Sequence, residues 1–431
     1  MMNKKILRLA IPNIISNISV PLLSMVDLAI AGHMGSLSFI GAVAVAGVIF
    51  NFIYWNFGFL RMGTTGFTAQ AYGARDLKES VEILIRSSVI AFAIAALLII
   101  FQKPILEFAL LFIDASDATR EPIKQYFYIR IWAAPCALML YAFKGWFIGM
   151  QNSKIPMFLA IMINVLNIGF TFLFVYGFKM DFKGIALGTV VAEYIGLTLA
   201  ILFAFFYYGK LKKYIVWKEI FIKTKLLQFF KVNGNIFLRT FCLVIVFTSF
   251  TTFSTKSGDT ILAVNTLLLQ LFTLFSYIMD GFAYAAESLT GKFIGAKNND
   301  GLKLSIKYIF RWGWILTIFF TILYLLFGNQ ILGLLTNNQE VLENAKTYLG
   351  WVLLVPVAGF GAFLWDGVYV GATASKAMRD AIFIATFGYF LIYYTLVTFI
   401  GNNALWIALL LFLLLRGLIM KFLAKKVIFK N

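Results

Sequence analysis

Seven ionisable side chains fall deep inside stretches of sequence that are otherwise apolar: Asp27, Arg61, Glu193, Arg239, Asp280, Glu287 and Asp366. Lys144 also lies deep in such a stretch, although its long stem can carry the charge toward an interface. A charge at the centre of a hydrocarbon layer costs on the order of 2.5–3.5 kcal/mol on insertion scales, so each of these needs a partner or a task. The chemistry open to a desolvated carboxylate is reversible binding of a proton or a cation. Asp27, in PLLSMVDLAIAG, stands alone on its apolar segment, and Asn164, Asn167 and Thr189 are neutral partners in the same half of the chain. Asp280, Tyr284 and Glu287 are spaced i, i+4, i+7 and so share one helix face. Arg239 is a counter-ion for Asp280 or Asp366, either as a fixed packing pair or as part of a functional network. Three carboxylates against that one arginine leave negative charge over, a surface suited to organic cations. Among the 13 methionines, Met25 and Met62 suit an adaptable cavity wall.

The elements that position these groups follow from composition. The chain is 61% hydrophobic and 13% charged, with mean hydropathy +0.88, too apolar for a soluble globular protein. Stretches such as VIAFAIAALLIIF and LWIALLLFLLLRGLIM are long enough, at about 1.5 Å per residue, to be parts of helices that cross a bilayer core of roughly 30 Å. The expectation is an all-α polytopic membrane protein with twelve spans at about 7–32, 38–72, 81–101, 122–148, 156–178, 183–208, 227–252, 260–291, 303–327, 344–370, 378–400 and 404–424. An even number of spans puts both termini on one side. The loops of the opposite side hold only Lys103, Arg120, Lys179, Lys183, Lys256 and Lys346, and basic residues crowd the side of the termini, which marks it as cytoplasmic. That asymmetry accounts for the net charge of +18 through membrane lipid headgroups, with no nucleic-acid partner implied. No cleavable leader is legible, because the first apolar stretch runs on to Ile30 without a small-residue cleavage site.

One offset relates the two halves. FKGWFIGMQNSK at 143–154 returns as WDGVYVGATASK at 365–376, shifted by 222 residues. The same shift takes FTAQAYGAR (67–75) to LTGKFIGAK (289–297), Asn13-Ile14 to Asn235-Ile236, IAL at 185–187 to IAL at 407–409, and Tyr126 to Tyr348. This is an internal duplication of six spans. The expected organisation is a lobe over 1–208, a basic linker over 209–226 with an amphipathic helix in KEIFIKTKLLQFF, and a second lobe over 227–431. Two six-helix lobes of like topology relate by a pseudo-twofold along the membrane normal, an arrangement that transporters use for alternating access to a midplane site. Within each repeated phrase the glycines mark close helix packing, while Lys144 changed to Asp366 shows that the lobes differ in charge.

The phrases MVDLAIAGHMG, FLRMGTTGFTAQAYGAR, GIALGTVVAEY, DGFAYAAESLTGKFIGA and DGVYVGATASKAMRDA resemble the multidrug and toxic compound extrusion (MATE) family, in its DinF branch, over nearly the whole chain. The resemblance implies a V-shaped pair of lobes and secondary antiport, in which organic, cationic and lipophilic compounds leave as H⁺ or Na⁺ enters. In that family a first-lobe cation site maps by motif onto Asp27, Asn167, Thr171 and Thr189. Thr171 stands where relatives carry a second Asp, which leaves one carboxylate among neutral oxygens and favours H⁺ over a Na⁺ cage. Glu193, Asp280 and Glu287 match the branch pattern, and Arg239 stands where another branch places a carboxylate for a second Na⁺ site. No cofactor is implied beyond the coupling ion. The chain is expected to act as a monomer in a bacterial cytoplasmic membrane on small organic substrates.

The alternative within transport is a lipid-linked oligosaccharide flippase of the same superfamily, which needs basic cavity residues for a pyrophosphate and often two further spans. An enzyme is not expected, since no nucleophile–base pair or metal cluster is legible. Cys136 and Cys242 lie in apolar spans outside any CxxC pattern, and His33, the single histidine, cannot build a zinc site.

Overall fold

In hydrocarbon a backbone must satisfy its own hydrogen bonds, which leaves the helix as the economical choice for long apolar stretches. The computed structural model describes residues 2–34, 36–112 and 117–429, and the expected chain limits at residues 1 and 431 lie outside them. Among the described residues there are twelve helices long and apolar enough to cross a membrane, and no strand. The first six are α1 (Met2–Gly32), α2 (Ser38–Gly73), α3 (Leu77–Ile100), α4 (Thr119–Gly149), α5 (Lys154–Gly177) and α6 (Lys183–Tyr214). The others are α7 (Lys223–Thr255), α8 (Asp259–Gly295), α9 (Asn299–Leu335), α10 (Gln339–Gly371), α11 (Ser375–Ile400) and α12 (Asn402–Val427). They form two compact units, Ile15–Leu227 and Met1–Ile14 with Gln228–Asn431. The chain thus passes from one unit to the other inside α1 and again inside α7.

The 222-residue offset is written into the backbone of both units. In the first, a Cβ added to Gly145 on α4 would stand 2.4 Å from the carbonyl oxygen of Arg61 on α2; in the second, Gly367 on α10 would meet the carbonyl of Ala283 on α8 at 2.3 Å. One turn on, Gly149 faces Thr68 and the amide of Ala69, and Gly371 faces the carbonyl of Glu287 and the amide of Gly291. Each pair is a G-x-x-x-G that lets two helix backbones touch. Arg75 and Lys297 end the helices at left-handed φ of 58° and 50°, and Gln151 and Thr373 do so at 64° and 53°. Asp76 caps α3 through the amide of Glu79 at 2.9 Å, and Asn298 caps α9 through that of Gly301 at 2.7 Å.

The linker differs from the sequence expectation. No separate amphipathic helix spans 218–230. α6 ends in a tight turn over Gly209–Tyr214, a single turn Trp217–Ile220 comes next, and α7 is already helical from Lys223. The reason is a set of ion pairs to α3. The Lys225 ammonium lies 2.6 Å from Glu79 and 2.7 Å from Glu82, so the first turn of α7 stands on α3. Arg86 donates from Nε to the Ile220 carbonyl at 2.7 Å and from Nη1 to Glu79 at 3.2 Å. Lys78 reaches Glu219 at 2.6 Å and holds that carboxyl below the usual range, so this outer contact persists at neutral pH and is lost as pH falls through the lowered range.

Gly145→Ala and Gly367→Ala should each cost about 1–3 kcal/mol, because the added methyl meets backbone and not a movable side chain. Gly47→Ala and Gly350→Ala, where no heavy atom lies within 4 Å, should leave thermal unfolding in detergent unchanged. Equal melting temperatures for all four variants would contradict the close approach.

Candidate functional site

The first unit collects its polar groups where its helices are irregular. Pro135 lacks the amide that would bond the Ile131 carbonyl, and α4 tightens there into a 3-10 turn over Ile131–Ala133. Arg130 is the residue just before that turn. Its guanidinium lies 4.9 Å from the ring centroid of Phe50 and 5.7 Å from that of Tyr126, and Nη1 donates to the Tyr126 hydroxyl at 3.3 Å. On α5 the helix widens into a π turn over Leu173–Gly177, directly after Thr171. Gly184 and Gly188 let α6 come close to this stretch, with Gly188 against Thr171.

Three of the four expected coupling-site residues form one hydrogen-bonded group. Asn167 donates to Thr189 Oγ1 at 3.0 Å, Thr171 donates to Asn167 Oδ1 at 3.2 Å, and Thr189 donates to the Ile185 carbonyl at 3.1 Å. Asp27 is buried at 8% exposure, on a turn of α1 whose neighbours Val26, Ile30 and Ala31 pack with Tyr126, Ile185 and Ala186. Its Oδ1 is buried and accepts no hydrogen bond from a described protein group. The charge that acts on it is Arg130, which also attracts Glu193 on α6. Arg130 acts on both carboxylates through space, while its direct contacts among the described groups are to Phe50 and Tyr126. Asn164 instead donates to the Ser19 carbonyl at 3.1 Å and ties α5 to α1. Met25 is exposed and Met62 is buried, so one Met of the expected wall faces outward from the unit.

In the second unit, Asp366 on α10 accepts hydrogen bonds at one oxygen, Oδ2, from Arg239 on α7 and from Arg416 on α12, the latter at 2.5 Å. Arg416 is 3% exposed and also feels the charge of Asp280. Arg416 is a second arginine in this group and reduces the expected surplus of carboxylates over arginines from two to one. Glu287 is buried, and Asp280 and Tyr284 are half-buried on the same face of α8. Among the described residues no group of three or more His, Cys, Asp or Glu is placed to hold a metal ion.

Arg130 and Arg416 are the two residues that sequence reasoning passed over. Arg416 lies near the middle of α12, within the apolar run LWIALLLFLLLRGLIM, and carried the same signal as Arg239: a charge deep inside a span. Arg130, in YIRIWAAP, carried a usable signal: it lies among apolar residues five positions ahead of Pro135, where the helix must lose a hydrogen bond.

Comparison with known proteins gives a consistent picture. The MatE family model matches residues 12–173 and 236–396. DNA damage-inducible protein F of Escherichia coli is 36% identical over 420 residues, covering 96% of this chain and 90% of that protein. Multidrug resistance protein NorM of Vibrio cholerae is 24% identical over 394 residues, covering 89% and 83%. A solved structure of a MOP superfamily transporter from Pyrococcus furiosus, described as having a binding pocket of reversed polarity, aligns with TM-score 0.85 at 18% identity over 100% of this chain and 97% of that one. That last likeness speaks for the fold.

Asp366→Asn should destabilise the protein by about 3–5 kcal/mol, since an amide leaves two buried guanidinium groups without an anion. The triple variant Arg239→Leu, Asp366→Leu, Arg416→Leu should recover much of that loss, because it removes all three charges together. Thermal melting of the three proteins in detergent measures both effects. A single variant as stable as wild type would show that the charges are not held by Asp366.

Proposed function

The chain belongs to the MatE family, and from that premise we propose that this multi-pass membrane protein is a secondary antiporter that exports lipophilic organic cations in exchange for protons. The observation that carries the reading is Asp27: a buried carboxylate in an apolar helix, with one oxygen unmatched by a described protein donor. Such an oxygen is free to take a proton or to face a cation. Arg130 sets the balance, because Asp27 and Glu193 together exceed its single positive charge by one. A proton or a monovalent organic cation supplies that one charge, and competition between the two is the basis of exchange. Asn167, Thr171 and Thr189 bring neutral oxygens to α5 and α6, and with Thr171 in place of a second carboxylate the set suits H⁺ better than Na⁺. The name of the Vibrio cholerae relative supports multidrug resistance as the setting.

The energetics are modest. Exchange of one proton for one monovalent cation moves no net charge, so each unit of pH gradient supplies about 1.4 kcal/mol and the membrane potential nothing. A zwitterionic substrate would gain roughly 2.3 kcal/mol per 100 mV in addition. The lysines of the linker and termini put both chain ends on the cytoplasmic side of a bacterial inner membrane. A flippase would have to offer basic side chains to a pyrophosphate, and in the second unit Arg239 and Arg416 both donate to Asp366.

Proteoliposomes loaded with a fluorescent lipophilic cation test the reading. An imposed pH gradient should drive efflux through the wild type, an imposed Na⁺ gradient should not, and Asp27→Asn should reduce the pH-driven rate at least tenfold. Efflux that responds to Na⁺ alone, or that survives in Asp27→Asn, would move coupling to the carboxylates of the second unit.

A further inference from the structure

The linker between α6 and α7 presents a surface that the antiport reading does not use. Leu211 and Ile220 are buried, and the Arg86 hydrogen bond to the Ile220 carbonyl and the Lys78–Glu219 pair pin the segment to α3 at two points. Held in this way, it turns outward Lys210, Lys212, Lys213 and Lys218 together with Phe205, Phe206, Tyr207, Trp217 and Phe221, all exposed. The aromatic run closes the apolar stretch of α6 and the lysines begin within two residues of its end. That order of apolar helix, aromatic collar and cationic rim is the profile of a bilayer from acyl chains to headgroups.

The surface is also concave. Phe205, Phe206, Tyr207, Gly209, Lys210 and Lys212 line a cavity of about 620 Å³. The Lys212 ammonium stands 5.8 Å from the centroid of the Phe205 ring. Among the described groups that line the cavity, none is acidic. Lys78, Lys225 and Arg86 are already committed to Glu79, Glu82 and Glu219, so the carboxylates of the clamp do not neutralise the lysines of the rim.

We infer that this linker is a binding site for an anionic phospholipid, whose acyl chains lie along Phe205 and Phe206 and whose phosphate is held by Lys210 and Lys212. The site rests on the chain being a multi-pass membrane protein and not on antiport, and its test reads binding without transport. It also ties lipid composition to the base of α7, because Arg86, which holds the linker, pairs with the Glu79 and Glu82 that hold Lys225.

Native mass spectrometry of the full-length protein, released from detergent with either phosphatidylglycerol or phosphatidylcholine at equal concentration, measures the site. The wild type should retain phosphatidylglycerol in preference to phosphatidylcholine. Lys210→Gln with Lys212→Gln should weaken phosphatidylglycerol retention by about thirtyfold, at roughly fivefold for each charge removed near the membrane surface. Lys210→Arg with Lys212→Arg should keep it, and so should Lys425→Gln with Lys426→Gln at the far end of α12. A single symmetric chromatographic peak for every variant separates lost binding from lost folding. Equal retention of the two lipids by wild type, retention in the glutamine pair within twofold of wild type, or an equal loss in the α12 pair would each overturn the assignment.

Discussion

Charge inside an apolar helix bundle must be compensated within the bundle, and both units are arranged around that requirement. Removing a carboxylate or guanidinium from water costs several kcal/mol even after the surroundings relax. The second unit meets the cost with Asp366, which draws α7, α10 and α12 to one carboxylate oxygen. The end of α3 meets it with Glu79, Glu82 and Arg86, which also capture Lys225 from α7. In the first unit one guanidinium is seated on the rings of Phe50 and Tyr126 and acts on Asp27 and Glu193 only through space.

The internal repeat divides the same way. Features that shape the backbone are copied across the 222-residue offset: the glycine contacts, the left-handed helix ends, the Asp76 and Asn298 caps. Features that carry charge are not. Asp27 corresponds to Ser249, Arg130 to Val352, Glu193 to Leu415, and Asp366 to Lys144. A helix pair that touches backbone to backbone tolerates nothing larger than glycine, whatever the unit is for. A buried charge is constrained only by its own partner, and so pairs can change together while the scaffold stays.

This division explains what was legible in the sequence. The twelve spans, the repeat and the tight glycines follow from hydropathy and register, which are local and additive, and the structure has them. The Arg239 and Asp366 pair was legible because both residues break apolar runs. Arg416 breaks an apolar run near the middle of α12 in the same way, but its partner Asp366 is 50 residues away in sequence and only the packed unit joins them. Arg130 was not read as a site residue because its place comes from Phe50 on α2, which meets it only once the helices pack, and from Tyr126 one turn earlier on its own helix. The linker helix was misplaced for a similar reason. Periodicity in KEIFIKTKLLQFF is real, but Glu79 and Glu82, about 145 residues earlier, decide where the helix starts.

The spacing of the ion pairs along the chain also has a meaning in time, since the chain is made from its N-terminus. Arg86 follows Glu82 by one helical turn and Glu79 by two, so α3 reaches the bilayer with its own counter-charge. Arg239 is made 127 residues before Asp366, and Arg416 follows Asp366 by a further 50. During synthesis α7 is thus an incomplete segment, stranded with an uncompensated cation until α10 arrives, and the trio closes only with the last span. Because Arg416 comes last, the trio is complete only once the final helix of the second unit is in place.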